Sequence, residues 1–227
     1  MKKLFLPAII CVSVLLTVSS FRSNEVPPRI YPELERYFES LEKKELPSDH
    51  ANALASLKND ISTSNMDYED WNLTFYCSEN TFRSQASQVF ATTRCYANKF
   101  RKMKIFSAGL TSGEISKQLI DYLTKIGYRI TKIEKDGKSA YSVKFSDQAD
   151  PIILYSKTTT DKSLPTRYLT SVIVCDIKTE TDCAALKTES NPLDLAFPKV
   201  NASDSPEKVE AILEKIATEM VYVTKKK

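Results

Sequence analysis

The segment LTFYCSENTFRSQASQVF, residues 73–90, constrains the fold of this chain more than any other part of the sequence. An apolar run ends at Cys77, and after a short polar loop the residues on one helical stripe are Ala86, Val89, Phe90, Thr93 and Ala97. The segment is therefore predicted to be a strand, a loop and a helix. This unit is typical of α/β proteins, in which a helix N-terminus beside a strand end binds anions.

Strands and helices alternate along much of the remaining chain. MKIFSAGL and YLTSVIVC are predicted strands, and YRITKIE, YSVKF and PIILYS are strand-like, with a turn at KDGKS. In the helix predicted from TSGEISKQLIDYLTKIG, we expect Thr111 or Ser112 at the start and Gly127 at the end. In the last helix, we expect Ser205 as the cap and Pro206 at the first position. The alternation predicts an α/β fold with a parallel sheet.

The N-terminus has the pattern of an export signal rather than of a folded element. MKK is a basic start, LFLPAIICVSVLLTV is apolar, and VSS offers a cleavage site after Ser20. We expect residues 1–20 to be a signal peptide and the protein to be secreted or periplasmic. The alternative is an uncleaved N-terminal membrane anchor. Residues 21–68 are predicted to form a helical N-terminal extension, followed by the main domain at 69–227.

Composition narrows the possible chemistry. The net charge is only +3, and no basic stripe with interleaved aromatic residues appears, so we expect no nucleic-acid partner. His50 is the single histidine, so a Ser-His-Asp or Cys-His site must use it, and a histidine-rich zinc site cannot be built. His50 lies near a predicted helix start, where we expect it to be exposed to solvent. We expect no metal and no cofactor.

Four cysteines follow the predicted signal peptide, namely Cys77, Cys95, Cys175 and Cys183. An exported protein can form disulfides, and four cysteines permit three full pairings. Cys77 and Cys175 each follow a predicted strand, so we expect both at the same rim of the sheet, where its ligands bind. Cys95 lies opposite the apolar stripe of its helix, and we expect it to have no catalytic role.

The loop from Cys77 to Arg83 has the composition of an oxyanion site. Backbone N–H groups and the helix dipole favour a thiolate at Cys77 without any histidine, and Arg83 can clamp two oxygens of a tetrahedral anion. Ser84 can donate to the thiolate. The residues whose backbone N–H groups would bind the anion are Ser78, Glu79, Asn80, Thr81 and Phe82. The alternative is a buried structural cysteine and an exposed arginine that share this spacing by chance.

Asn80 is a candidate for fixing the shape of this loop. Its side chain can hydrogen-bond to the backbone, and asparagine tolerates a positive φ better than most residues.

The same residues resemble the signature of the low-molecular-weight protein tyrosine phosphatase family, which includes the thioredoxin-coupled arsenate reductases. KIFSAGLTSGEISKQLIDYLTKIGY resembles the next strand and helix of that family, and VIVCDIKTETDC resembles its reductase branch. IATEMVYV resembles the closing helix of a bacterial subgroup with a helical N-terminal extension. The resemblance implies a four-stranded parallel sheet flanked by helices in residues 69–227. It also implies a cysteinyl-phosphate or cysteinyl-arsenate intermediate at Cys77.

Three positions depart from the family pattern. Glu79 replaces a common loop glycine and brings a carboxylate near the anion site. The spacer DIKTETD, between the two later cysteines, is one residue longer than the resemblance implies. Phe197 stands where the family has the aspartate of an Asp-Pro general acid, and Asp194 and Asp204 are the nearby substitutes.

Three functions are compatible with these residues. The first is a cysteine-dependent phosphatase acting on a phosphorylated substrate, with Cys77 as nucleophile and Arg83 as clamp. The second is an arsenate reductase, in which Cys175 and Cys183 form the resolving pair and a thioredoxin-like protein is the reductant. The third is a degenerate phosphate-binding module without turnover, favoured by Glu79 and Phe197. For the cysteine pair, the alternative to a redox role is a structural disulfide.

Overall fold

The computed structural model describes residues 29–46, 48–64, 70–100, 102–188 and 192–226. Its strands are β1 Trp71–Cys77, β2 Met103–Gly109, β3 Arg129–Lys135, β4 Lys138–Lys144, β5 Ile152–Leu154, β6 Leu169–Ile173 and β7 Leu193–Asp194. Its α-helices are α1 Pro32–Leu41, α2 Ala51–Ser64, α3 Arg83–Ala97, α4 Lys117–Ile126, α5 Thr181–Ala184 and α6 Pro206–Val223. Short 3₁₀ turns lie at Ser48–His50 and Ala185–Thr188.

A four-stranded parallel sheet forms the centre of the protein, in the order β2-β1-β6-β7. The central strand β1 buries Leu73 and Phe75 completely. Helices α3 and α6 pack against each other, and α3 covers strands β1 and β2. The predicted fold class, a four-stranded parallel sheet flanked by helices, is confirmed.

The three strand-like segments after α4 do not join this sheet. They form a separate antiparallel sheet in the order β3-β4-β5. Asp136 and Gly137 link β3 to β4 with φ angles of 53° and 73°. Two positive φ angles in a two-residue link belong to a tight hairpin, which can join only antiparallel strands.

Helix α4 begins later than the sequence pattern predicts. Lys117 is its first residue and Ser116 its N-cap, not Thr111 or Ser112. The preceding segment binds the cysteine loop instead: Thr111 N–H donates to the Ser78 carbonyl at 2.9 Å. The predicted end is confirmed, because Gly127 adopts a left-handed conformation with φ 114°.

The other predicted helix signals are present in α6. Pro206 is its first residue, and the Ser205 side chain accepts a hydrogen bond from Lys208 N–H. The backbone N–H groups of the first helical turn have no partner within the helix. Ser205 accepts a hydrogen bond from one of them, and Pro206 has no N–H group that needs a partner.

The N-terminal helices α1 and α2 pack onto the main domain. The apolar residues that they bury completely or almost completely are Leu34, Phe38, Leu41, Leu54, Leu57 and Ile61. Phe38 meets the Phe90 ring edge-on at 6.3 Å, which joins α1 to α3. Among the described residues, no helix is long and apolar enough to cross a membrane. The predicted signal peptide at 1–20 and the extension boundary at 68/69 lie outside the described residues and stay predictions.

His50 is buried, so the expectation of a solvent-exposed histidine was wrong. Only 7% of the residue is exposed, and its Nδ1 lies 2.9 Å from a carboxylate oxygen of Glu219 in α6. The reason is tertiary: the turn that carries His50 is packed against α6, which supplies an acidic partner from the other end of the chain.

Cys95 is also buried, at 2% exposure, although it lies off the apolar stripe of its helix. Helix α3 is sandwiched between the sheet and α6, so both of its faces are covered. Burial raises the pKa of the Cys95 thiol to about 12, which makes it a poor nucleophile at neutral pH.

Candidate active site

Cys77 is the last residue of β1, and α3 begins six residues later at Arg83. The Cys77 sulfur lies 3.0 Å from Ser84 Oγ, and Asn80 N–H donates to it at a nitrogen–sulfur distance of 3.3 Å. The Cys77 residue is 3% exposed. Both groups can donate a hydrogen bond to the sulfur.

Asn80 is the buried centre of the loop. It has φ 52°, and the residue is fully inaccessible. Its Nδ2 donates to Ser84 Oγ at 2.8 Å, while its Oδ1 accepts from Lys157 N–H at 2.9 Å and from Gln85 Nε2 at 3.0 Å. The side chain therefore ties the loop to both α3 and the segment after β5.

Two neighbouring segments hold the loop from outside. A Cβ atom at Gly109 would lie 2.6 Å from Asn80 N, so the end of β2 can approach the loop only because this residue is glycine. Ser156 Oγ donates to the Glu79 carbonyl at 2.9 Å. The loop is thus fixed by packing and by hydrogen bonds before any ligand binds.

Arg83 is buried at 4% exposure, so the alternative of an exposed arginine was wrong. Its two terminal nitrogens donate to the two carboxylate oxygens of Glu180, at 2.5 and 2.7 Å. One of them also donates to the Phe197 carbonyl at 3.0 Å. Among the described residues, no protein atom accepts from Nε of Arg83, so one edge of the guanidinium stays open.

Glu180 is a site residue that the sequence did not reveal. It is separated from Arg83 by 97 positions, and no spacing pattern relates the two. Burial by itself would raise the pKa of Glu180, but the hydrogen bonds and charge of Arg83 outweigh it, so the pKa is lowered. Glu180 is therefore ionised at neutral pH.

The N-terminus of α3 points into the same place. Phe82 is the N-cap and makes no side-chain cap hydrogen bond to the first turn. The first N–H groups of a helix have no partner within it, and a 15-residue helix adds its dipole to them. The start of α3 therefore lies at the cavity that Cys77 also lines.

A small cavity of about 30 Å³ opens at the loop. It is lined by Cys77, Ser78, Glu79, Thr81, Phe82, Arg83, Lys199 and Val200. Glu79 turns away from the loop centre and pairs with Lys199 at 3.6 Å, and both side chains are half exposed. The carboxylate that replaces the expected glycine therefore lies at the mouth of the cavity, next to a cation.

Cys175 and Cys183 form a disulfide, with their Cα atoms 6.2 Å apart. Both are buried, and the bond closes the loop that carries Glu180. Because Tyr76 pairs with Ile173 in the parallel register, Cys77 and Cys175 lie at the same edge of the sheet, as expected. In the described part of the chain, Cys77 and Cys95 are the free cysteines.

Neither substitute for the general acid lines the cavity. Asp204 accepts from Asn201 N–H and from Lys208, and these bonds lower its pKa, so it holds no proton at neutral pH. Asp194 is the last residue of β7 and pairs with Ile173 in the sheet. Among the described residues, the lining of the cavity contains no aspartate.

Phe197 contributes its backbone rather than its side chain. Its carbonyl accepts from Arg83, while its ring is buried and meets the His50 ring edge-on at 5.5 Å.

The protein is an α/β protein with a parallel sheet, and a Cys-x5-Arg loop joins its central strand β1 to the N-terminus of helix α3. No protein-family model and no curated protein matches the sequence. The chain is similar in structure to low-molecular-weight phosphotyrosine phosphatases from Vibrio cholerae O395 (TM-score 0.48, 12% identity) and T. tengcongensis (0.46, 13%). These cover 67% of this chain and 93% and 97% of their own chains.

A thioredoxin-dependent arsenate reductase from Corynebacterium glutamicum is similar at a TM-score of 0.40 and 16% identity, covering 81% of this chain and 80% of its own. These are the family and the branch that the Cys77 segment resembles.

Proposed function

We propose that this chain is a cysteine-dependent phosphatase that forms a cysteinyl-phosphate on Cys77. The supporting observation is that the Cys77 sulfur and the buried Arg83 line one small cavity at a helix N-terminus. A nucleophile, a fixed cation and open N–H donors then converge on one point, which is the requirement for attack on a tetrahedral anion.

In the first step, the Cys77 thiolate attacks phosphorus and the ester P–O bond breaks, so the leaving oxygen carries away the electron pair. Arg83 and the first N–H groups of α3 stabilise the charge on the remaining phosphoryl oxygens. In the second step, water attacks phosphorus and the S–P bond breaks. The contacts from Ser84 and Asn80 then stabilise the departing thiolate.

The leaving group sets the range of substrates. Neither Asp194 nor Asp204 lines the cavity, so leaving groups that need little protonation should react best. Aryl phosphates with acidic phenols have this property, and losing a general acid costs about 10²–10⁴-fold for other esters.

The disulfide favours a second candidate, arsenate reduction. In such a reaction, a resolving cysteine pair gives two electrons to arsenate and is itself oxidised to a disulfide. The Cys175–Cys183 disulfide, at the same edge of the sheet as Cys77, matches that oxidised product. A thioredoxin-like dithiol would then reduce it and take up the disulfide in exchange.

One experiment separates these functions. Purified protein is assayed with p-nitrophenyl phosphate, and in parallel with arsenate plus a dithiol donor, using Cys77→Ser as the inactive control. Turnover of the aryl phosphate alone supports the phosphatase. Turnover of arsenate that stops in a Cys175→Ser/Cys183→Ser variant supports the reductase. Binding of phosphate without either turnover would leave the third function, a phosphate-binding module.

A further inference from the structure

The Arg83–Glu180 pair engages the two terminal nitrogens of the guanidinium, and Nη2 also donates to Ser78 Oγ at 3.4 Å. Glu180 takes both terminal nitrogens, and the Phe197 carbonyl takes one of them as well. Arg83 lines the cavity beside Cys77, whereas Glu180 does not. The carboxylate therefore holds the end of the guanidinium, and Nε of Arg83 has no protein acceptor among the described residues.

The loop that carries Glu180 is held by hydrogen bonds within it and by a disulfide. Glu180 N–H donates to the Asp176 carbonyl at 2.8 Å, and Cys183 N–H donates to the Glu180 carbonyl at 2.9 Å. Asp176 N–H also donates to the Glu180 carboxylate at 3.2 Å. The Cys175–Cys183 bond then closes the loop covalently at its two ends.

We propose that Glu180 is a positioning residue for Arg83 and that the Cys175–Cys183 disulfide fixes the loop that carries Glu180. The inference rests on the proposed function and deepens it, because it makes the oxidised cysteine pair a condition for full activity. A buried arginine with two anchored nitrogens can present its remaining edge to an oxyanion in only one orientation. Catalysis depends on such placement to within a fraction of an ångström.

Reduction of the disulfide should loosen this arrangement. A dithiol donor passes two electrons and two protons to the bond, which leaves Cys175 and Cys183 as thiols and the donor as a disulfide. The loop then loses its covalent closure, and Glu180 is held only by its hydrogen bonds. Arg83 is expected to sample other orientations, so activity falls under reducing conditions.

The direct test compares Glu180→Gln with Asp182→Asn. Both remove one negative charge from the same closed loop, but the Asp182 residue is exposed. Glu180→Gln is expected to lower kcat/KM for p-nitrophenyl phosphate by about 10- to 100-fold, similar to a misplacement of about 1 Å in a catalytic group. It should also weaken inhibition by inorganic phosphate, while Asp182→Asn changes neither value.

A double-mutant cycle with Arg83→Lys tests whether Glu180 acts through the arginine. If it does, Glu180→Gln should cost far less in the Arg83→Lys background than in the wild type. Equal losses in both backgrounds would assign Glu180 a merely structural role and overturn the proposal. Tighter phosphate binding in Glu180→Gln would also overturn it, because the carboxylate would then be a competitor of the anion.

The role of the Cys175–Cys183 disulfide is tested separately, with wild-type protein reduced by dithiothreitol and with the Cys175→Ser/Cys183→Ser variant. Both are expected to lose activity in the direction of Glu180→Gln, and reoxidation should restore the wild-type value. Full activity in both forms would overturn the role of the disulfide.

Failure of the proposed phosphatase function would give a different result from failure of the positioning role. In the first case the wild type turns over no aryl phosphate, and calorimetric titration with inorganic phosphate still compares Glu180→Gln with Asp182→Asn. Weaker phosphate binding in Glu180→Gln alone would support the positioning role, and equal binding in both variants would overturn it.

Discussion

Asn80 Nδ2 lies 2.8 Å from Ser84 Oγ, and the same hydroxyl oxygen lies 3.0 Å from the Cys77 sulfur. The amide therefore orients the serine, and the serine contacts the nucleophile. Since Asn80 N–H also donates to the sulfur, this one residue supports Cys77 through its backbone and through its side chain.

Substitutions at Asn80 should separate these two roles. Asn80→Gly keeps the positive φ but removes the side-chain hydrogen bonds, whereas Asn80→Ala also strains the backbone. We expect Asn80→Gly to lower kcat by about tenfold or more, and Asn80→Ala to lose about 1 kcal/mol more stability. Steady-state kinetics and urea unfolding measure the two effects. If Asn80→Ala matched the wild type in both, the side chain would have no part in shaping the loop.

The two chemical residues of the loop should give different losses. Cys77→Ser is expected to abolish turnover yet still bind phosphate, because Arg83 and the helix N–H groups remain. Arg83→Lys is expected to lower kcat by at least about 10²-fold, because an ammonium group cannot bind both carboxylate oxygens of Glu180 side by side and also present a fixed N–H to the anion. Turnover assays and phosphate titration follow these changes. The control is a substitution of Lys199, at the cavity mouth, that removes its charge. It should lower kcat far less than Arg83→Lys does.

The substitution Phe197→Asp tests whether a general acid can be restored at position 197. Because the ring is buried beside His50, Phe197→Asp should place a carboxylate in the core and destabilise the fold by about 3–5 kcal/mol. Phe197→Leu, which stays apolar, should cost about 1–2 kcal/mol. Urea unfolding measures both. A gain in activity toward phenyl phosphate in a stable Phe197→Asp variant would show that this segment can present its side chain to the cavity.

The His50–Glu219 pair should make stability depend on pH. Burial lowers the pKa of His50, but the hydrogen bond and charge of Glu219 outweigh it, so the pKa is raised in the folded protein. Among the other neighbours, Asp49 adds to the increase and Lys215 opposes it. The protonated histidine therefore stabilises the fold fully below its unfolded pKa of about 6.5, and the contribution is lost as pH rises through the folded pKa.

The measurement is urea unfolding of wild type and His50→Gln between pH 5 and pH 9. The wild type should exceed the variant by about 1.5–3 kcal/mol at the acidic end, and the difference should shrink toward the alkaline end. Lys117→Gln is the control, because the exposed Lys117–Asp121 pair is worth no more than about 0.5 kcal/mol. A difference that is constant over this range would mean that folding leaves the pKa of His50 unchanged, and a difference that grows with pH would mean that His50 is neutral in the fold.

Local features of the fold could be predicted from the sequence. The strand ending at Cys77, the helix beginning near Arg83, the cap at Ser205 and the stop at Gly127 each depend on residues within a few positions of one another. The side-chain period and the φ preference of single residues determine such features, and these are properties of the sequence itself. The positive φ at Asn80 belongs to the same group.

Local patterns failed where a distant segment competed for the same groups. Thr111 has the chemistry of a helix cap, but its N–H binds the Ser78 carbonyl, so α4 begins at Lys117. Likewise, the sequence predicted three strand-like segments without showing that they form a sheet of their own. Strand propensity is the same for either sheet, whereas the choice of partners depends on chain reversal and packing.

The environment of the site residues was decided by tertiary structure alone. Sequence assigned Arg83 to the anion loop, but Glu180, 97 positions away, sets the orientation of its guanidinium. Sequence found a single histidine, but its partner Glu219 lies 169 positions away. Both pairs exist because folding brings two charged groups together where at least one of them is buried, and each then needs the other to offset the loss of water. No periodicity or spacing in the chain encodes that requirement, since it arises only when the elements pack.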